Sequence, residues 1–422
     1  MFIHIDIDSF FASAERSVNP KLNGIPIAVG GRSNLEIFNK NRTNIKLMND
    51  NFGAFVTPVF YSEKEKTFES FFVDTINGQR KVRGIVTTSS YEARAFGVKT
   101  AMPIAQALQL CPHLVVIPSN YKCYHDISKR LNLYMEKKIP KIEQFSIDEF
   151  FGDLHGWVSE PDCYAFAVAL KEDILKEFGL PVSIGIAKSK WIAKVATEKA
   201  KPFGVYQVKD TAHFIENIPI KEFPGIGKAF KQRLLFHGIK RLGEIEKHKD
   251  LFYSWGKIGV QLYERVIGID NEAISERTPR KSIGISRTFD PIRDGSEVRR
   301  RVVIMVRHIV YMVMGLEVNP TTYFLKINYE YGTKHKMSRT VDRIFSEYLF
   351  REQLLEMYDE ISHYSLGAIK LTLNVSNFTN QQHKTLSLLD LHDDMDRAKL
   401  SKEIQSLRDR FGIDIIKSGV EL

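Results

Sequence analysis

The opening stretch FIHIDIDSFF, residues 2–11, constrains this chain most, because Ile3, Ile5 and Ile7 alternate with His4, Asp6 and Asp8. A period of two specifies a β-strand with one apolar face. Aspartate is a poor strand former, so two of them in a hydrophobic opening strand require a reason. One reading is a half-exposed strand with a solvated acidic face; another is a strand whose carboxylates meet a cation. The stretch FSIDEFFGDL, residues 145–154, raises the same question. Phe145, Ile147, Phe150, Phe151 and Leu154 surround adjacent Asp148 and Glu149, whose unpaired desolvation costs several kcal/mol. Successive strand residues face opposite ways, so these two acids converge only at a turn or strand end. Their charge is compensated either by a structural partner such as arginine or by a bound cation. A hard divalent ion suits carboxylate oxygens, and two such ions suit phosphoryl transfer.

Whole-chain numbers narrow the field. A chain of 422 residues exceeds one compact core and implies two to four domains. The formal net charge of +9 favours a polyanionic partner. Cys111, Cys123 and Cys163 have no CxxC spacing, which argues against a disulfide framework or zinc cluster and suits a reducing cytosol. No apolar run approaches ~18 residues, so no membrane span is expected. The start lacks a basic region followed by an apolar one, so no signal peptide is expected and the location read from sequence is cytoplasmic.

Three further stretches point to nucleotides and DNA. TTSSYEARAFGVKTAMP, residues 87–103, places Thr88, Tyr91 and Arg94 ahead of a turn. They form a candidate triphosphate site through charge-assisted hydrogen bonds; an exposed amphipathic helix is the plainer alternative. SIGIAKSKWIAKVATEKAKPFGVY, residues 183–206, reads as strand, turn and helix, with Lys201 before Pro202 placed to reach a phosphate. Its other lysines, including Lys190 and Lys194, read equally as a solvated helix face. Between Ile218 and Ile245 a Pro-Gly-Ile-Gly turn precedes a helix with Phe230, Leu234 and Leu235 at helical spacing. This pattern resembles a helix-hairpin-helix, in which Gly225, Gly227 and the backbone at Lys228 approach a DNA phosphate.

In order along the chain, DIDSFFAS, YEARAFGVKTAMP, FSIDEFFGDL, SIGIAKSKWIAKVATEKAKP, FPGIGK and RKSIGISRTF resemble the motifs of Y-family translesion DNA polymerases of the DinB type. The resemblance implies an α+β multidomain right hand. Palm would comprise residues 1–10 and 121–208, fingers 11–120, and a helix-hairpin-helix thumb 209–276. A linker at 277–282 would lead to a little finger at 283–380, followed by a C-terminal segment, 381–422. It also implies low-fidelity, template-directed nucleotidyl transfer without proofreading, by a monomer acting on primed template DNA and deoxynucleotides. Carried over residue by residue, the catalytic and metal positions fall on Asp6, Asp148 and Glu149, with the Ile7 carbonyl as a backbone ligand to two Mg²⁺ (Mn²⁺ able to substitute). Phe11 falls on the steric gate against a ribose 2′-hydroxyl, and Phe10 beneath the sugar. Thr88, Tyr91, Arg94 and Lys201 fall on triphosphate contacts. Asp8 matches the pattern too, but a structural role is expected for it. Ala12, Ser89 and Ser90 are expected to leave the pocket open.

Rival readings are a noncatalytic DNA-binding protein and a two-metal nuclease. Intact carboxylates oppose the first, and nothing in the second requires Phe11 or the Tyr91/Arg94 pair. Residues 280–308 carry eight Lys/Arg against three Asp/Glu, so Arg287, Arg299, Arg300 and Arg301 are candidate contacts to a duplex backbone; a solvated charged face is the alternative. Strands are expected in YFLKINYEY and AIKLTLNVSNF. Two features depart from the family pattern. An asparagine-rich and aromatic insertion at about 32–83 enlarges the fingers; packing over the templating base, contact with a partner and an inert surface addition are its three readings, the last taken by default. Near the end, TLSLLDL (Thr385 to Leu391) only partly matches a clamp-binding peptide, which would dock as an extended segment in a sliding-clamp pocket. The following MDRAKLSKEIQSLRDRFG reads as an amphipathic packing helix.

Overall fold

The structure, a computed structural model, describes residues 1–39, 46–48, 59–61, 66–76, 78–270, 272–275, 280–316, 318–363, 365–379 and 390–421. These residues divide into two compact units. One contains 1–31 and 68–275; the other contains 32–39, 46–48, 59–61, 66–67 and everything from 280 onward. Both mix helix and sheet, so the α+β multidomain expectation holds.

A five-stranded sheet organises the first unit. The predicted opening strand, Phe2–Ile7, lies at its centre, antiparallel to Glu149–Asp153 on one side and Val182–Ala187 on the other. Lys141–Gln144 and Val205–Gln207 form the two edges. Ile3, Ile5 and Ile7 enter a core with Phe10, Leu131, Phe150 and Ile184. The other face is not the solvated acidic surface that the alternation allowed: His4, Asp6 and Asp8 are also buried. The helix Lys190–Ala200 covers that face, and His4 Nδ1 lies 2.8 Å from Thr197 Oγ1. Gly185 makes the approach feasible, since a Cβ there would stand 2.1 Å from the Ala193 carbonyl oxygen. Helical packing also buries Lys190, so the solvated-face alternative fails for that lysine, while Lys188 and Lys199 are exposed.

A three-stranded sheet in the same unit joins Ile85–Ser89, Ile27–Gly31 and Val115–Pro118. Its core contains Ala28, Val86, Ile104 and Phe72. Phe72 thus anchors one end of the inserted sequence. Between residues 211 and 267 the regular elements are all helices or 3₁₀ turns. There the Pro-Gly-Ile-Gly turn has Gly225 at φ +96°, a conformation that favours glycine, and Gly227 caps the helix Lys228–Phe236. The element before the turn is only a single 3₁₀ turn, Ile220–Glu222. Leu234 is buried but Leu235 is exposed, so the apolar face is narrower than the sequence spacing implied.

The second unit is built on an antiparallel sheet in the order Ser282–Ile292, Ala368–Thr379, Asn319–Tyr329, Lys334–Thr340. Both predicted strands are present, and Tyr323, Leu325, Ile327 and Tyr329 alternate into the core. Helices Gly295–Met314 and Glu347–Ile361 supply Val302, Met305, Ile309, Phe350 and Leu354 to that core. The final helix, Leu391–Phe411, is oriented against the expectation for an apolar packing face. It buries Asp394, Ser401 and Arg408 and exposes Leu400, Leu407 and Phe411. Ion pairs from Asp394 to Arg343 and from Arg408 to Glu347 decide that orientation. Thr385 to Leu389 of the candidate clamp peptide lie outside the described residues.

Part of the insertion belongs to this unit. The 3₁₀ turn Glu36–Phe38 places Ile37 and Phe38 in the core beside Ile283, Phe289 and Val302. An inert surface addition would leave both side chains in water. They are instead 1% and 4% exposed.

Candidate active site

The hairpin between Lys141–Gln144 and Glu149–Asp153 answers how two adjacent acids can converge. Its turn closes through hydrogen bonds from the Phe145 and Ser146 N–H groups to the Glu149 carbonyl, 2.9 and 3.2 Å. Ser146 Oγ accepts from the Glu149 N–H at 3.1 Å and donates to Asp148 Oδ1 at 2.5 Å. Asp148 therefore ends the turn, and Glu149 begins the strand directly opposite Asp6. The Ile7 N–H donates to the Asp148 carbonyl at 3.0 Å, fixing the turn against the central strand.

The site's electrostatics follow from burial. Asp6 is pushed up to about 7, first by desolvation and then by the neighbouring Asp148 and Glu149 charges, against the pull of Lys201. Burial also raises Asp148, with the Ser146 hydroxyl opposing it. Lys201 Nζ lies 3.2 Å from Asp6 Oδ2 and 2.7 Å from Glu198 Oε1. Lys194 pairs with Glu149, and His4 Nε2 is 3.8 Å from the same carboxylate. Burial holds His4 well below its ordinary value, so it adds no positive charge near neutrality.

The donor set is oxygen-rich and matches a hard divalent cation in its chemistry. Among the described residues, no three His, Cys, Asp or Glu side chains are gathered closely enough to enclose an ion. Lys201 and Lys194 instead carry the compensating charge.

Asp8 faces a different environment. It accepts hydrogen bonds from Ser183 Oγ at 3.0 Å, the Phe203 N–H at 2.7 Å and the Tyr91 hydroxyl at 3.2 Å. A carboxylate satisfied in this way ties three segments together, the structural role its position suggested. Tyr91 thereby has its hydroxyl engaged, and the Arg94 guanidinium lies 4.7 Å from the Tyr91 ring centre while Nε donates to the Ser89 carbonyl. Thr88 lies on the strand Ile85–Ser89 opposite Val29. Phe10 is buried, whereas Phe11 is only partly so. The Phe11 ring stacks on Tyr124 at 4.5 Å with planes 15° apart. Ala12, Ser89 and Ser90 are buried rather than lining an opening: the Ser89 hydroxyl donates to Val98, and Ser90 Oγ accepts from Ile27.

Sequence reasoning did not single out Lys194, Ser146 or His4. Ser146 had a local signal, a hydroxyl two residues before Asp148 in a turn. Lys194 had none, because its partner depends on how a helix crosses a sheet.

Of the candidate DNA contacts, Gly225, Gly227 and Lys228 are exposed at the turn. Arg299 pairs with Asp359. Arg300 and Arg301 both pair with Glu297 at 2.7 Å, and Arg287 donates to the Asn34 carbonyl at 3.0 Å.

Comparison with known proteins identifies the lineage. Residues 54–198 match the impB/mucB/samB family, and residues 280–388 match the C-terminal domain of that family. A DNA polymerase IV of Enterobacter sp. (strain 638) is 31% identical over 304 residues, 70% of this chain and 72% of the relative. One from Staphylococcus aureus (strain MRSA252) is 28% identical over 396 residues, covering 92% and 98%. Among solved structures, the Y-family DNA polymerase chimera Dbh-Dpo4(243-245)-Dbh aligns with 89% of this chain and 98% of its own. The TM-score is 0.67 at 23% identity, a likeness of fold. An insertion ternary complex of Dbh DNA polymerase gives a TM-score of 0.55 at 23% identity over 89% of this chain and 98% of its own.

Proposed function

The chain belongs to the impB/mucB/samB family, as a Y-family polymerase of the DinB type, and from that premise we propose that it extends a DNA primer by template-directed transfer of deoxynucleotides past damaged bases. The observation that carries the reading is the junction of Asp6, Asp148 and Glu149 on adjoining strands. These three carboxylates, with the Ile7 carbonyl, would hold two Mg²⁺, with Mn²⁺ able to substitute. Bound there, the ions would lower the pKa of the primer 3′-hydroxyl and stabilise charge on the leaving pyrophosphate.

The chain's own residues set the geometry. The turn at Ser146 and the Ile7–Asp148 hydrogen bond hold two of the carboxylates rigidly before substrate arrives, which suits electrostatic preorganisation. Lys201, 3.2 Å from Asp6, would exchange that carboxylate for a phosphate oxygen, and Arg94, on the helix Tyr91–Ala95, would meet the triphosphate. Phe11, stacked on Tyr124, would act as a wall against a ribose 2′-hydroxyl. Phe10 supports it from the core. The turn at Gly225 and Gly227, with Lys228, would take a phosphate of the duplex. Low fidelity and lack of proofreading rest on family membership.

Offering a primed template one deoxynucleotide at a time tests this reading. Extension fastest with the nucleotide complementary to the template base, on intact and damaged templates alike, is the expected result. Template-independent addition, or degradation of the primer, would overturn it.

A further inference from the structure

The inserted sequence leaves the first unit after Gly31, and its described residues 32–39 lie with the second. Their contacts there are those of a seated peptide. Phe38 meets Phe289 edge to face with ring centres 6.4 Å apart. The Arg301 guanidinium covers both rings, 4.5 Å from the centre of Phe38 and 4.7 Å from that of Phe289. Arg300 Nη2 donates to the Phe38 carbonyl at 2.9 Å while pairing with Glu297. Arg287 holds the Asn34 carbonyl, and the Thr288 N–H donates to Ser33 Oγ, both at 3.0 Å. Backbone, aromatic ring and hydroxyl of one short segment are thus each matched by a receiving group.

We propose that Ser33–Asn39 is a docking segment and that the face formed by Arg287, Phe289, Arg300 and Arg301 is its receptor. The insertion then attaches the C-terminal unit to the catalytic unit a second time, independently of the chain through residues 276–282. A single connection would leave the two units free to separate as far as that linker reaches. A second attachment makes docking intramolecular, so even a modest peptide affinity is amplified by effective concentration. Burying Ile37 and Phe38 supplies the apolar anchor. The stacked arginine supplies specificity for an aromatic ring at that position.

The test uses the full chain carrying a specific protease site at residues 276–279. After cutting, the N-terminal fragment, which still contains the segment, is expected to co-elute with the C-terminal fragment at micromolar concentration without DNA. Excess synthetic peptide GRSNLEIFNK, residues 31–40, should release the C-terminal fragment. The same peptide carrying Phe38→Ala should require at least about tenfold more for equal release. Competition by peptide avoids altering the core of either unit. Fragments that separate immediately on cutting would overturn the proposal. So would fragments that stay together in saturating peptide, or release indifferent to Phe38.

Discussion

Two buried charge clusters, one in each unit, resolve the same physical problem in different ways. In the C-terminal unit, Arg408 and Glu347 form a one-to-one pair with two hydrogen bonds, 2.6 and 3.1 Å, and Arg408 gains a third from the Ile416 carbonyl. Arg343 and Asp394 repeat the arrangement at 2.8 and 3.1 Å. Glu347 and Asp394 are each met by two guanidinium N–H groups, although Arg343 also reaches the more exposed Asp390 at 3.4 Å. In the catalytic unit, Asp6, Asp148 and Glu149 share Lys201 and Lys194, and Lys201 is itself divided with Glu198. Carboxylates outnumber the cations, and Asp6 is pushed up to about 7, first by burial and then by the Asp148 and Glu149 charges. Closed pairs fix a fold; an open acidic deficit is where a further cation belongs.

The contrast is sharpest under mutation. Asp6→Asn keeps the shape of the site while removing a charge, so primer extension should fall by about 10³-fold or more, with little loss in melting temperature. Arg408→Ala should behave oppositely. Its side chain is 2% exposed, and losing it strands Glu347, so unfolding titrations should show a loss of about 3 kcal/mol or more, whereas replacing both partners by leucine should restore most of it. An Asp6→Asn protein that unfolds, or an Arg408→Ala protein that does not weaken, would erase the distinction.

The pH response separates the clusters more gently. A carboxyl raised from 3.8 to about 7 favours the protonated fold. Its stabilising contribution in metal-free protein is therefore complete below pH 3.8 and lost as pH rises through about 7. Melting curves should show the metal-free wild type losing ground to Asp6→Asn across that interval. A constant difference between the two would contradict the assigned imbalance. Smallest in energy is the effect at Phe11, the proposed gate. Phe11→Ala should raise ribonucleotide insertion by about tenfold or more relative to deoxynucleotide insertion, read from single-nucleotide extension rates.

How far the sequence reached follows the range of each interaction. The alternation at residues 2–8 specified a strand, and the chemistry of Asp148 and Glu149 demanded a turn; both signals are local. The same alternation left a half-exposed face open for Asp6 and Asp8, because the covering helix Lys190–Ala200 comes nearly two hundred residues later. Lys194 was hidden for the same reason. The insertion was least legible. Its asparagine-rich and aromatic composition gives no periodic signal, while Ile37 and Phe38 act through a core assembled from residues beyond 280. In the last helix, ion pairs outweighed the apolar stripe. Periodicity alone gives no sign of that, since Arg343 and Glu347 are distant in sequence.

The central claim is that the acidic deficit at Asp6, Asp148 and Glu149 is a catalytic cation site. The direct test is single-turnover extension of a primed template by wild type and Asp148→Ala over a range of Mg²⁺ concentrations, with template binding measured in parallel. The account predicts extension that rises with Mg²⁺ in wild type and is abolished in Asp148→Ala, with template binding retained. Equal extension by both proteins, or extension by wild type without any divalent cation, would contradict it.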